Sequence, residues 1–465
     1  MKRIAAALLL AASAAFAQTP APATTAPPPP AEPRPIHWPK LVEHKLENGL
    51  TVVLVPLPNV PKITAILAFP AGRGTDWKLH PGVAQLAARV VNEGTATRSS
   101  KAIREETRSI GGTLEVATDS DATTITASAL SEFTPRMLDL VADVAQHPAY
   151  PKPEVDLGRA NMASEIEEQR ADPNFLADEQ LQKAIFGATA YGFVVATPKN
   201  IEAITREQLV AFAAAHYVPN GAHLVLAGDL QPDAALAQVR KAFGDWKRGA
   251  DVAEAAMNLP KREKRQIYFV DRPGSVQSTI SVGAPAGPRK SADYIALRTA
   301  NLIYSGTFYS RLTRNIREAK GYTYSPFSSA DLRRRAGVFY AGAAVRNEVT
   351  GPTILEMLYE LDRMRVDAVT DEELAAAKTY SVGGMELEIE TQLGLAQRVS
   401  SLYLYGLPKD FLQTFRGKVD ALTAADIRQA AAKYFDTYRG AIVVVGDYAK
   451  VKDQVTPFGD VTLVK

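Results

Sequence analysis

The stretch that decides the fold is Ile204 to Asp229, ITREQLVAFAAAHYVPNGAHLVLAGD, because the chain contains it twice. Leu422 to Asp447, LTAADIRQAAAKYFDTYRGAIVVVGD, can be laid on it at a constant shift of 218 residues without a gap. Tyr217 falls on Phe435, Leu224-Val225-Leu226 falls on Ile442-Val443-Val444, and both copies close on Gly-Asp. Each copy reads as a helix, a turn and a buried strand. Nearer the other end, Phe69-Pro70-Ala71-Gly72 corresponds to Ala284-Pro285-Ala286-Gly287 at a shift of 215. These correspondences predict two homologous domains, residues 41–250 and 267–465. The charged stretch from Lys247 to Arg265 reads as the joint, with 251–266 as the linker.

Outward from the repeat, β-rich runs open each half: Thr51 to Val55 and Thr64 to Phe69, then Ile267 to Val270 and Thr279 to Val282. Helical patterns follow, and further strands such as Thr123 to Ala129 and Gly337 to Ala344 come after them. Strand runs alternate with helix runs rather than repeating βαβ units. The expected fold class is therefore α+β, each domain a mainly antiparallel sheet packed with helices.

Composition narrows the chemistry. The 465 residues are too many for one ordinary core, and 46% hydrophobic with 22% charged residues describes a globular protein. A formal net charge of +2 gives no reason to expect nucleic acid or an anionic membrane as partner. With no cysteine, disulfides, thiolate metal sites and a cysteine nucleophile are excluded. Six histidines stand at 37, 44, 80, 147, 216 and 223, none in the second half and no two at the close spacing that marks a zinc site.

Residues 1–17 combine Lys2 and Arg3, an apolar run from Ile4 to Phe16, and an Ala15-Phe16-Ala17 cleavage signal. They predict a signal peptide removed near Ala17 and a periplasmic or secreted product. That run is too short to span a bilayer comfortably, and no later segment is long and apolar enough. Residues 18–40, rich in Pro, Ala and Thr, predict an extended tether.

Between the first strands and the first helical region lies His80 to Ser99, HPGVAQLAARVVNEGTATRS. Pro81 suits a first helical position, Gly94 suits the residue past the end, and Val83, Leu86 and Val90 share an apolar face. Gln85 and Arg89 lie one turn apart on the other face, with Ala88 beside Arg89. This helix resembles the signature helix of the insulinase and pitrilysin family of zinc peptidases, in its mitochondrial-processing-peptidase branch. There a Gly-x-Ala-His-x-x-Glu-His run ends in Gly-Thr; here the run is Gly82-Val83-Ala84-Gln85-Leu86-Ala87-Ala88-Arg89, and Gly94-Thr95 is kept. In the family motif two imidazoles bind Zn²⁺ and the Glu is the general base. Gln85 is a feeble neutral donor, Ala88 cannot take a proton, and Arg89 puts a permanent cation where a divalent one would sit.

The resemblance runs along nearly all of the chain beyond the tether. Asn48-Gly49-Leu50-Thr51-Val52, Gly111-Gly112-Thr113-Leu114, Tyr191-Gly192, Ile201 to Thr205, and Asn220 with Gly228-Asp229 resemble successive family motifs in order and spacing. It implies a sandwich of helices on sheets forming half of a clamshell. The family's third zinc ligand corresponds to Glu165, 76 positions after Arg89, while its supporting Glu corresponds to Gly158. Glu165 is thus expected as a remnant paired with Arg89, and Glu167 and Glu168 as solvated helix residues.

In the second half, Ser310-Arg311-Leu312 and the run from Ile316 to Tyr324 resemble the family's Ser-Arg-Leu and Leu-Arg-Glu-x-x-Gly-x-x-Tyr motifs. The resemblance implies that Arg317 and Tyr324 reach across to the substrate, one as a charge-assisted fork, the other as a hydroxyl donor. From the residues alone they read as a surface ion pair and a packed strand Tyr, and it is the intact motif that favours the other reading. Leu114, Glu115, Val116, Ala117 and Thr118 occupy the place of the family's peptide-holding edge strand, or form an ordinary edge. Arg333, Arg334 and Arg335 read as a solvated strand entrance, and His80, His147 and His216 as structural.

With the zinc ligands lost and the Arg-Tyr pair kept, the resemblance implies a non-catalytic, substrate-binding subunit, without a cofactor of its own. Its expected partner is a homologous subunit bearing the zinc motif, in a heterodimer that acts on peptides. The alternative is a pseudopeptidase scaffold that binds peptides or envelope proteins without any catalytic role.

Overall fold

The computed structural model describes residues 38–251 and 257–464. The expected signal peptide, nearly all of the expected 18–40 tether and the middle of the expected 251–266 linker lie outside the described residues. Among the described residues no helix is long and apolar enough to cross a membrane.

Among the described residues, twelve strands make two six-stranded sheets. The first comprises β1 (Val42–Lys45), β2 (Thr51–Pro56), β3 (Lys62–Phe69), β4 (Thr113–Thr118), β5 (Thr123–Leu130) and β6 (His223–Gly228), ordered β1-β2-β6-β3-β5-β4. The second comprises β7 (Gln266–Asp271), β8 (Gln277–Ala286), β9 (Phe327–Leu332), β10 (Gly337–Arg346), β11 (Ala441–Gly446) and β12 (Val461–Val464), ordered β12-β7-β11-β8-β10-β9. The sequence repeat is thus a repeat of topology. Its strands β6 and β11 each slide into the middle of a sheet, parallel to one neighbour and antiparallel to the other. Central strands are covered on both faces, so all six residues of each are buried, as their unbroken apolar runs predict. The repeated Thr before each preceding helix is an N-cap: Thr205 and Thr423 both close capping boxes, with Gln208 and Asp426.

The sheets are mainly antiparallel, as expected, with parallel pairs toward one side of each. β2–β6 is parallel in the first, and both β7–β11 and β12–β7 are parallel in the second. The outermost strand differs because β1 arrives from a hairpin, antiparallel to β2, whereas β12 arrives after a helix, parallel to β7.

Each half also lends a helix to the other's sheet. Pro173–Phe186 packs on β8 and β11, where Ala177, Leu181, Ile185 and Phe186 share one core with Val338, Ala441, Val443 and Val445. Reciprocally, Gln392–Leu404 packs on β3 and β6. Gln392 Nε2 donates to Lys62 O (2.7 Å) and Ala227 O (3.0 Å), and His223 Nε2 meets Ser400 Oγ at 2.7 Å. This seam explains the glycine of the Gly-Asp ending at β6. Gly228 has φ +137°, and a Cβ there would stand 2.1 Å from Gln392 Nε2 and from Lys62 O.

One expectation fails here. Arg333 is not a solvated entrance: it is 4% exposed, stacked over Phe186 and Tyr191, and bonded to Gln182 Oε1 (2.9 Å) and Asp331 (2.7 Å). The backbone N–H groups of Arg334 and Arg335 donate to Asp121 (2.9 Å) and the Tyr191 hydroxyl (3.2 Å). A tight turn at the seam between the halves turns Arg333 inward, where ring faces, the Asp331 carboxylate and the Gln182 amide oxygen compensate its charge, while the Arg334 and Arg335 side chains stay half-buried.

Candidate functional site

The signature helix exists but is shorter than expected, Val83–Val90 rather than Pro81 onward. Gly82 caps it in a left-handed conformation (φ +90°), and a Cβ there would meet Ile201 Cδ1 at 2.4 Å. Gly94 lies beyond its end, in a bridge with Ser99. Val83, Ala84, Leu86, Ala87, Ala88 and Val90 are all buried, leaving Gln85 and Arg89 to face out.

The chemistry of that outer face is closed. Both Nη atoms of Arg89 donate to the two oxygens of Glu165, each at 2.6 Å, in a bidentate fork. The hydrogen bonds from Arg89 hold the Glu165 carboxyl below its ordinary range, and Glu165 raises Arg89 in turn. Gln85 Nε2 points to Val194 O at 3.4 Å, and its Oε1 is enclosed without a partner among the described residues. Ala88 is 3% exposed. Gly158 shows why the family's supporting carboxylate has no place: a Cβ there would stand 2.6 Å from Val90 Cγ1, because the Lys152–Ala171 helix lies directly on the signature helix. These residues do not fit a zinc ion: there is no imidazole, both Glu165 oxygens are taken, and a cation already occupies the site. Among the described residues no three His, Asp or Glu side chains come together as a metal-binding group.

Next to this helix, β4 forms the edge of the first sheet, with no strand beyond it among the described residues. Leu114 and Val116 pack inward, Glu115 and Ala117 are exposed, and Thr118 donates to Ala122 O at 3.2 Å. An edge with free backbone groups and outward side chains of modest size can accept an added strand.

The second motif divides into an anchor and an open part. Arg311, 8% exposed, forks onto Glu373 at 2.7 and 2.8 Å, and Leu312 is fully buried. Thr313–Ala319 then winds as a π-helix, whose wide turn is visible in Lys320 N donating five residues back to Asn315 O (3.2 Å). Asn315 Nδ2 ties this turn to Glu356 (2.9 Å) and Glu360 (2.8 Å). On it the Arg317 guanidinium sits between two rings, 4.4 Å from Phe308 and 4.5 Å from Tyr324. Tyr324 is 79% exposed, and its hydroxyl has no hydrogen-bond partner among the described residues. Thus Arg317 and Tyr324 are brought together by stacking, and Arg89 and Glu165 by an ion pair. No hydrogen bond or ion pair joins the two groups among the described residues. Phe308 and Tyr309, both exposed, belong to the second group and were not singled out from sequence. Their signal was an adjacent aromatic pair just before Ser310.

The three histidines expected to be structural each have a partner: His80 Nδ1 with Gln208 (3.0 Å), His147 with Asp143 (3.3 Å) and His216 with Asp76 (2.9 Å).

Comparison with known proteins agrees with this layout. Residues 51–199 match the family model for insulinase (peptidase family M16), and residues 203–380 match that for the peptidase M16 inactive domain. An uncharacterized zinc protease of Rickettsia felis is 23% identical over 406 residues, covering 86% of this chain and 96% of the relative. One from Mycobacterium leprae is 26% identical over 410 residues, covering 88% and 92%. Among solved structures, a peptidase M16 inactive domain from Pseudomonas fluorescens superposes with a TM-score of 0.82 at 25% identity, covering 88% of this chain and 98% of that one. A Helicobacter pylori protease has the same fold, with a TM-score of 0.82 at 18% identity, covering 88% and 99%.

Proposed function

Because the chain belongs to the insulinase family of peptidases, family M16, we propose that it is the non-catalytic, substrate-binding subunit of a heteromeric peptidase. Hydrolysis takes place at the zinc of a partner subunit, and this chain holds the peptide. The observation that carries the reading is the contrast between its two motif sites. One is closed by the Arg89–Glu165 fork, and the other stays open, with Arg317 stacked and Tyr324 79% exposed.

In this role the rings of Phe308 and Tyr324, with an ion pair from Arg317 Nε to Glu318 at 3.1 Å, hold the planar Arg317 guanidinium in position, so its Nη groups can fork onto a peptide carbonyl. The Tyr324 hydroxyl donates to the oxygen on which charge develops. The free edge of β4, from Leu114 to Thr118, holds the peptide backbone as an added strand, with Glu115 and Ala117 on its exposed side.

The test is peptidase activity of this chain mixed with a homologue that carries the zinc motif. Activity is expected only in the mixture. Arg317→Ala with Tyr324→Phe should lower it by about 10²-fold, the usual loss of an oxyanion donor. Wild-type rates from that double variant would refute the assignment and leave a peptide-binding scaffold.

A further inference from the structure

A second polar site, sharing no residue with either motif, lies beside β9 at the edge of the second sheet. Arg289, three residues past β8, is only 7% exposed. Its guanidinium lies 3.4 Å from the Tyr294 ring centroid and 5.0 Å from that of Phe411. Its Nη1 has no hydrogen-bond partner among the described residues. A cavity of about 360 Å³ opens there, lined by Arg289, Tyr294, Ser329, Arg398 and Tyr405, and an adjoining narrow one brings Arg298 to the same guanidinium.

Asp119, Asp121 and Asp331 act on Tyr405 across this cavity, but the guanidinium of Arg289 is not matched by a carboxylate of its own among the described residues. Arg398 is neutralised by Glu388, and Asp331 on the cavity wall is neutralised by Arg333 at 2.7 Å. Arg298 donates only to the Tyr294 hydroxyl (3.3 Å) and, like Arg289, has no carboxylate partner among the described residues. A buried cation without a counter-charge is strongly unfavourable, and stacking on a ring offsets only part of that. Tyr294 registers the excess. Burial pushes its phenol up, yet Arg289, Arg298 and Arg398 together bring it below the ordinary value.

We propose that this pocket binds a small oxyanion, a phosphate or carboxylate group, on the Arg289 guanidinium, with Arg298 adding positive potential from the adjoining narrow cleft. Guanidinium forks match both groups in geometry, and the tyrosine rings enclose whatever carries the group. The assignment does not rest on the subunit reading above.

Thermal melting of the full chain, at ionic strength held constant with sodium chloride, tests it with inorganic phosphate and with succinate in separate titrations. A saturating rise in melting temperature is expected with one of them. Saturation by phosphate alone assigns a phosphate group, and saturation by succinate alone a carboxylate. Arg289→Gln should raise the half-saturating concentration at least about tenfold, the loss of one charge-assisted contact, and Arg298→Gln about threefold, the loss of a nearby charge. Should Arg289→Gln fail to fold, Arg298→Gln, at a partly exposed position, decides. No rise, a rise that never saturates, or one unchanged in Arg298→Gln overturns the proposal.

Discussion

Gly158→Ala tests the claim that the two helices of the former metal site have closed on each other. In an ordinary helix interior this change stabilises by about 1 kcal/mol. Here the new Cβ would stand 2.6 Å from Val90 Cγ1, while the next neighbour, Leu86 Cδ1, is at a comfortable 3.5 Å. Val90 is β-branched in a helix and cannot swing aside freely. Overpacking of this kind costs about 1–3 kcal/mol, so the net expectation is a cost of about 0–2 kcal/mol. Val90→Ala alone should cost about 2 kcal/mol by leaving a cavity. In the double variant the methyl at 158 enters the space vacated at 90, so the combined cost should fall short of the sum by about 1 kcal/mol or more. Urea denaturation of the four proteins measures the cycle. A stabilising Gly158→Ala, or costs that add within about 0.3–0.5 kcal/mol, would refute the reasoning.

Two pH effects follow from single groups. Burial lowers the His223 imidazole to about 4, against 6.5 when free, so folding favours its neutral form. Stability from this group is complete above pH 6.5 and is lost as pH falls toward 4; about 2–3 kcal/mol should disappear between about pH 7 and 4.5. His223→Gln should abolish that part of the urea midpoint's pH dependence. Glu165, held down by Arg89, behaves like other depressed carboxylates. Its contribution is present above its free value of 4.5 and is lost as pH falls through the lower folded one. Because Arg89 and Glu165 are 35% and 50% exposed, Glu165→Gln should cost only about 0.5–1 kcal/mol at neutral pH, and progressively less as pH falls below the free carboxyl value. A pH-independent difference between the two proteins would contradict the ion-pair account.

What could be read from sequence follows physical range. The strands were legible because alternation and apolar runs are local, and β6 and β11 declared themselves by repeating at one spacing. The loss of the zinc motif was legible because it depends on residue identity: Gln85, Ala88 and Arg89 stand where the family motif has its ligands and base. Arg333 misled because charge predicts exposure only on average, and its compensation by Phe186 and Tyr191 comes from the other half of the chain. Phe308 was missed because its partnership with Arg317 depends on a π-helical turn, and a wide turn leaves no periodic mark.

By itself, then, the sequence determined the doubling of the fold, the order of its elements and the absence of a zinc-binding motif on the signature helix. Tertiary structure alone decided that each half completes the other's sheet with a helix, that Gly158 lets two helices touch, and that Arg289 is buried without a counter-charge. The physical reason is that propensity and patterning act over a few residues. Burial, stacking and charge compensation instead depend on which distant segment the chain brings alongside.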